Sequence, residues 1–113
     1  MSESLRASVV GAGAWGTALA LVLVEQGHDV RLWCYQSEVA DSIQRDRRNP
    51  YLSGVTLPER LHATSDLAAA VGGSELVVSV SPAQVVRSVM SNAAPHLDTD
   101  AIVVSASKGI ELE

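Results

Sequence analysis

The sequence has little of several things that would point to particular classes of protein. Among its 113 residues there is no phenylalanine and one cysteine, and aromatic residues make up only 4%. A single cysteine excludes a disulfide framework and a cysteine metal cluster, and it favours a reducing environment. The core must be built from valine, leucine, alanine and isoleucine, a composition typical of a sheet that is buried on both faces.

Positive charge and long apolar runs are also scarce. The formal net charge is −5, so the chain offers no basic stripe to a nucleic acid. The nearest feature is Arg45, Arg47 and Arg48, which we interpret as a solvated helix end. The longest apolar run, residues 18–24, is shorter than the roughly 20 residues that a membrane-spanning helix needs. Because the N-terminal residues are polar and contain no signal-peptide core, we expect a cytoplasmic protein.

The chain is organised around a glycine-rich stretch. A short apolar run at residues 7–10 leads into Gly11, Gly13 and Gly16, and a helical pattern follows directly. This is the G-x-G-x-x-G fingerprint between a strand and a helix, the context in which it indicates dinucleotide binding rather than a plain turn. Gly11 allows a sharp turn, Gly13 lets a pyrophosphate approach the backbone, and Gly16 lets the helix pack on the strand. The helix start would offer N–H groups and a positive dipole end to the phosphates.

Strands and helices are expected to alternate along the rest of the chain. Apolar runs predict strands at residues 7–10, 29–34, 61–64, 76–80 and 101–105. Helical patterns predict helices at residues 14–26, 37–47 and 66–71, and a further one that begins near Pro82. This alternation indicates a doubly wound parallel sheet of the Rossmann type, an α/β fold with right-handed crossovers. The length suits one domain, residues 1–113.

The end of the second predicted strand should contact the adenosine ribose of a dinucleotide. A carboxylate there favours NAD and an arginine favours NADP, but the sequence has Cys34, Tyr35 and Gln36. Tyr35 either stacks on the adenine, bonds a 2′-substituent, or is simply an exposed strand-end tyrosine. The choice between NAD and NADP therefore stays open. Trp15 either faces the cofactor cleft or packs against a neighbouring loop. The cleft is favoured, since burial beneath the helix would spoil the close packing of the helix on the strand.

Few other residues suggest chemistry. His28, His62 and His96 have no metal-ligand spacing, and we interpret them as surface or turn residues. No nucleophilic triad and no acid/base pair of carboxylates can be assembled, so the sequence predicts neither a metal site nor a catalytic residue. Lys108 follows the last predicted strand and precedes a glycine. By spacing alone it is a surface lysine, although a lysine there can also bind a phosphate or polarise a carbonyl.

Taken together, these segments resemble the N-terminal domain of the NAD(P)-dependent glycerol-3-phosphate dehydrogenases. The resemblance covers the chain from Leu5 onward. It is carried by residues 11–20 and 27–33, Asn49, Tyr51-Leu52, Gly54, Leu57-Pro58, Pro82-Ala83-Gln84 and residues 107–111. It implies an oxidoreductase that interconverts dihydroxyacetone phosphate and sn-glycerol 3-phosphate by hydride transfer with NAD or NADP, for phospholipid synthesis.

The same resemblance implies roles for particular residues. The cofactor would be held by Gly11, Gly13, Ala14, Trp15, Gly16, Tyr35, Gln36, Pro82 and Lys108. Lys108 would also touch the small phosphorylated substrate. The family's helical C-terminal domain, with its acid/base lysine, is missing from the sequence, so we expect weak dinucleotide binding and no catalysis. The apolar surface near residues 101–105 would then be exposed and favour self-association.

Two alternatives remain at this point. One is another two-domain dehydrogenase, of the ketopantoate reductase or hydroxyacid dehydrogenase type, although Trp15 and Lys108-Gly109 favour the first assignment. The other is a stand-alone dinucleotide-sensing module that regulates a partner. Such a module would be expected to carry an acidic residue at the end of the second strand, and Lys108 would have no role in it.

Overall fold

The architecture is a parallel sheet with helices on both faces. The computed structural model describes residues 4–52, 54–80, 94–97 and 101–105. The strands are β1 (Arg6–Val10), β2 (Asp29–Trp33), β3 (Leu61–Thr64), β4 (Leu76–Ser79) and β5 (Ile102–Ser105). The helices are α1 (Ala14–Glu25), α2 (Ser37–Asp46) and α3 (Leu67–Val71), with a 3₁₀ turn at Ala94–His96. The helix predicted near Pro82 lies outside the described residues.

The strand order confirms the doubly wound α/β fold. The five strands lie in the order β3-β2-β1-β4-β5, and every neighbouring pair is parallel. The chain therefore moves outward from β1 to β3, returns to the other side of β1, and continues to β5. The order reverses between β1 and β4, and such a switch point opens a crevice at the carboxyl ends of the strands.

The core divides into two layers because consecutive strand residues point to opposite faces of the sheet. Val9 belongs to a larger cluster shared with α1 and α2, and Val10 belongs to a smaller one shared with α3. The inner face of α2 consists of Val39, Ala40 and Ile43, all of which are buried. The sheet therefore carries apolar packing on both sides, as its composition predicted.

Helix α1 ends where a glycine makes the turn possible. Gly27 has φ +95°, and its N–H donates to the Val24 carbonyl while the His28 N–H donates to the Leu23 carbonyl. This is a Schellman motif, in which a left-handed glycine satisfies the last helical carbonyls. Although the residues of α1 are mostly apolar, the helix is not buried on every side, because Val22 is 52% exposed. No helix of the described part of the chain is long and apolar enough to cross a bilayer.

The solvated helix end predicted at residues 45–48 is wrong for Arg47. Arg47 closes α2 with φ +57° and ψ +35°, a left-handed conformation that turns its side chain back over the following loop. The guanidinium donates to the carbonyls of Leu57, Pro58 and Leu61, the last at 2.6 Å. A charged group that satisfies several carbonyls at once is held in place, so Arg47 fixes the loop between α2 and β3.

The strand at the β5 edge exposes apolar side chains. Ile102, Val103 and Val104 are 63%, 48% and 43% exposed. Alternate residues of a strand point to opposite faces, so apolar surface is available on both sides of this strand. Apolar exposure is therefore present at residues 102–104, within the segment where it was expected.

Candidate functional site

The carboxyl ends of β1, β2 and β4 meet at one edge of the sheet. Val10 lies opposite Trp33 on one side and Ser79 on the other. Beyond these pairs, the Gly11 N–H donates to the Trp33 carbonyl at 3.1 Å and the Val80 N–H donates to the Val10 carbonyl at 2.9 Å. The glycine loop that follows β1 is thereby fixed at the switch point of the sheet.

The glycines of this loop are required for different reasons. Gly11 has φ +124°, a conformation that side chains disfavour. A Cβ on Gly16 would lie 1.9 Å from the Gly11 carbonyl oxygen, so only glycine allows α1 to pack this closely on the loop. A Cβ on Gly13 would meet nothing within 4 Å. The absent side chain at Gly13 therefore leaves open space above the backbone, which is what the approach of a ligand requires.

The start of α1 is suited to an anion. Gly13 is its N-cap, no side chain among the described residues caps the first turn, and that turn contains no acidic residue. The first N–H groups of a helix point along its axis and carry a partial positive charge. With Ala14 and Trp15 exposed beside them, the residues present fit the pyrophosphate of a dinucleotide.

Exposed aromatic side chains lie in the glycine loop and at the end of β2. Trp15 is 48% exposed, and Tyr35, directly past β2, is 80% exposed with its ring edge-on to Trp33 at 5.9 Å. The Tyr51 hydroxyl donates to Gln36 Oε1 at 3.1 Å, which brings a third exposed aromatic residue to the end of β2. Sequence reasoning assigned no role to Tyr51, because the hydrogen bond depends on the path of the loop after α2.

Asn49 is a second residue that sequence reasoning left without a role. Its side chain is buried, and Nδ2 donates to the Ala12 carbonyl at 3.0 Å and to Thr17 Oγ1 at 2.7 Å. Its Oδ1 accepts the Tyr51 N–H at 2.8 Å. These three hydrogen bonds connect the glycine loop to the segment that carries Tyr51. An Asn-Pro sequence is typical of a helix end, but it contains no signal for this connection.

Pro82, Lys108 and the three histidines are the other residues that the sequence analysis singled out. Pro82 and Lys108 lie outside the described residues, so the roles proposed for them stay predictions. His62 and His96 are exposed, and His28 Nδ1 accepts the Leu5 N–H at the turn after α1. No cluster of histidine, cysteine, aspartate or glutamate that could hold a metal ion occurs in the part of the chain that the structure describes.

Cys34 is expected to be chemically inert in the folded chain. Burial disfavours the thiolate and raises the pKa of Cys34 from 9.0 to about 12. Because the thiolate is the reactive form, Ellman's reagent at pH 8 should label the native chain very slowly and label one thiol per chain in urea. Labelling of the native chain at the rate seen in urea would contradict this.

Burial of Cys34 also makes stability depend on pH. Because the thiol of the unfolded chain ionises at a lower pH than the buried thiol, the free energy of unfolding should fall as the pH rises above about 9.

The chain matches a described family over nearly its whole length. The profile of the NAD-dependent glycerol-3-phosphate dehydrogenase N-terminus matches residues 6–113. A curated relative named glycerol-3-phosphate dehydrogenase [NAD(P)+], from Citrifermentans bemidjiense, is 48% identical over 114 aligned positions, covering 100% of this chain and 33% of the relative. A relative of similar name from Mycobacterium bovis is 50% identical and covers 93% of this chain and 32% of its own length.

A solved structure shows the same similarity in three dimensions. The glycerol-3-phosphate dehydrogenase from Coxiella burnetii superposes with a TM-score of 0.87 at 36% identity, covering 94% of this chain and 33% of that chain. The chain therefore spans about a third of the length of the proteins it matches.

Proposed function

The chain belongs to the family of NAD-dependent glycerol-3-phosphate dehydrogenases, whose N-terminal region it matches, and we propose that it is the dinucleotide-binding part of such an enzyme. The reaction would interconvert dihydroxyacetone phosphate and sn-glycerol 3-phosphate, with the nicotinamide supplying or accepting the hydride. Because the chain covers a third of its relatives, we propose residues 1–113 as the cofactor domain and assign no catalytic residue to it. The match to this family favours this reaction over those of ketopantoate reductases and hydroxyacid dehydrogenases, and over a stand-alone dinucleotide-sensing module.

The observation that carries the proposal is the geometry of the glycine loop. Gly16 brings α1 against the backbone of Gly11, while the space above Gly13 is open at the start of the helix. A loop that only turned the chain would need the tight contact but not the open space. We propose that the pyrophosphate lies on Gly13 and the first turn of α1, between Trp15 and the end of β2.

We propose that Tyr35 and Gln36 contact the adenosine end of the cofactor. Tyr35 is exposed, and Gln36 is held by its hydrogen bond to Tyr51. Neither residue is a carboxylate that would repel a 2′-phosphate or an arginine that would attract one. The residues therefore favour a site that accepts both NAD and NADP. From the family resemblance we further propose that Pro82 lies along the cofactor and that Lys108 contacts both cofactor and substrate.

Two further proposals concern partners and location. The exposed side chains of Ile102, Val103 and Val104 support self-association through the β5 edge. The free, buried thiol of Cys34 supports a cytoplasmic location.

A fluorescence titration tests the proposed function. Adding NADH should quench the emission of Trp15 saturably, because this exposed side chain lies in the loop that would hold the cofactor. A titration with NADPH should give an affinity within about tenfold of that for NADH, since no residue at the end of β2 selects strongly. The absence of saturable quenching with either dinucleotide would reject dinucleotide binding by this chain.

The two tryptophans provide matched controls for that titration. Trp15→Phe should remove most of the quenching. Trp33→Phe should retain it, because Trp33 is buried and its Nε1 donates to the Ser65 carbonyl. Far-UV circular dichroism of both variants checks that each is folded. Quenching that disappears with Trp33 and persists without Trp15 would contradict the placement of Trp15 beside the cofactor.

A further inference from the structure

The direction of one peptide group in the glycine loop is set by two buried side chains. The Ala12 carbonyl accepts hydrogen bonds from Asn49 Nδ2 at 3.0 Å and from the Thr17 hydroxyl at 3.3 Å. Asn49 is 2% exposed and Thr17 is fully buried, so this carbonyl points into the protein. The two donors are also joined to each other, because Nδ2 donates to Thr17 Oγ1 as well.

The direction of this carbonyl determines where the next N–H points. In a trans peptide the C=O and the following N–H lie on opposite sides of the C–N bond, and the structure contains no cis peptide among its described residues. An Ala12 carbonyl held inward therefore directs the Gly13 N–H outward. Gly13 is exposed, and a Cβ built on it would meet nothing within 4 Å, so the residue that carries this N–H has open space beside it.

We propose that Asn49 is a positioning residue for dinucleotide binding, which acts through the Ala12 carbonyl to hold the Gly13 N–H toward the pyrophosphate. This inference rests on the proposed function, and it adds a residue that lies 37 positions along the chain from the peptide it orients. Asn49 itself would not contact the dinucleotide. Thr17 supports the same carbonyl from within α1.

Asn49 also connects the two sides of the proposed cofactor site. Its Oδ1 accepts the Tyr51 N–H, and the Tyr51 hydroxyl donates to Gln36 at the end of β2. The phosphate-binding loop and the residues proposed for the adenosine end are therefore linked through one buried amide. A preorganised donor loses less conformational entropy when the ligand binds, so this link favours affinity and not only stability.

The test compares NADH affinity with stability in a set of variants. Asn49→Ala should weaken NADH binding about fivefold or more, because the Ala12 carbonyl is then held by the longer hydrogen bond from Thr17 alone. Thr17→Val, which loses the hydroxyl at nearly the same volume, should also weaken binding, and Thr17→Ser should bind more tightly than Thr17→Val. In ¹H–¹⁵N spectra, the Gly13 amide signal should move on addition of NADH in the wild-type chain and move less in Asn49→Ala.

Core variants separate positioning from a general loss of stability. Ile43→Val and Ile43→Ala remove methyl groups from the buried face of α2, remote in sequence from the loop, and should lower the melting temperature in steps while NADH affinity stays near the wild-type value. Should Asn49→Ala fail to fold, the pair Thr17→Val and Thr17→Ser decides the question.

The possible results separate the two proposals. The positioning role would be overturned if NADH affinity in Asn49→Ala or Thr17→Val stayed within twofold of wild type. It would also be overturned if Ile43 variants of matched stability lost as much NADH affinity. Either result would leave dinucleotide binding intact. A wild-type chain that binds no NADH would reject the proposed function, and the positioning role would be rejected with it.

Discussion

Replacing Gly16 with alanine is expected to lower the free energy of unfolding by about 3 kcal/mol or more. The new Cβ would lie 1.9 Å from the Gly11 carbonyl oxygen and 3.0 Å from its carbonyl carbon. Both atoms belong to the backbone, which cannot move aside as the end of a flexible side chain could. The Gly11 N–H is in turn bonded to the Trp33 carbonyl, so moving the loop would break its attachment to β2.

The measurement is urea or thermal unfolding followed by far-UV circular dichroism. For a domain of this size, a loss of about 3 kcal/mol corresponds to a fall of about 10 °C or more in melting temperature. Because α1 can reach a stable position only by moving off the loop, NADH binding should be lost together with stability. A Gly16→Ala chain that melts within about a degree of wild type would show that the loop accommodates the methyl group, contrary to this expectation.

The part of the site that sequence reasoning found is the part made by residues close together in the chain. The requirement at Gly16 arises from contact with Gly11, five positions away, so the spacing of the glycines already contained it. The parallel sheet could be predicted for the same reason. Each strand–helix–strand unit is local, and the handedness of the crossovers leaves few possible arrangements.

The connection through Asn49 could not be predicted because it depends on the path of a loop. Asn49 reaches Ala12 and Thr17 from 37 and 32 positions away, after α2 has ended and the chain has returned to the start of α1. A single asparagine before a proline has the same sequence whether it faces solvent or is buried. Only the three-dimensional path distinguishes the two.

Arg47 shows a different limit, in which charge pattern and backbone conformation disagree. Its neighbours Arg45 and Arg48 are exposed, as expected for a solvated helix end. At Arg47 the left-handed conformation directs the side chain onto the carbonyls of the following loop. A run of charged residues contains no information about which member leaves the helical conformation, so sequence reasoning assigned all of them to the surface.

Replacing Gly13 with alanine is expected to weaken NADH binding by about 100-fold, or roughly 2.8 kcal/mol, while leaving the fold nearly unchanged. The backbone at Gly13 has φ −72° and ψ −172°, an extended conformation that alanine adopts without strain. A Cβ there meets no protein atom within 4 Å. The cost to stability should therefore be limited to the loss of glycine as an N-cap, at most about 1 kcal/mol.

The loss of affinity has a separate cause, which the comparison with Gly16→Ala isolates. The methyl group of Gly13→Ala would occupy the space through which a pyrophosphate reaches the Gly13 N–H and the first turn of α1. Isothermal titration calorimetry with NADH measures the affinity without depending on Trp15, and thermal melts of both alanine variants measure the stability. Both variants place a methyl group in the same loop, so their results can be compared directly. A stable Gly13→Ala chain that binds NADH poorly would assign ligand approach to Gly13. An unstable Gly16→Ala chain would assign helix packing to Gly16. Affinity in Gly13→Ala within twofold of wild type would mean that the pyrophosphate does not lie on Gly13.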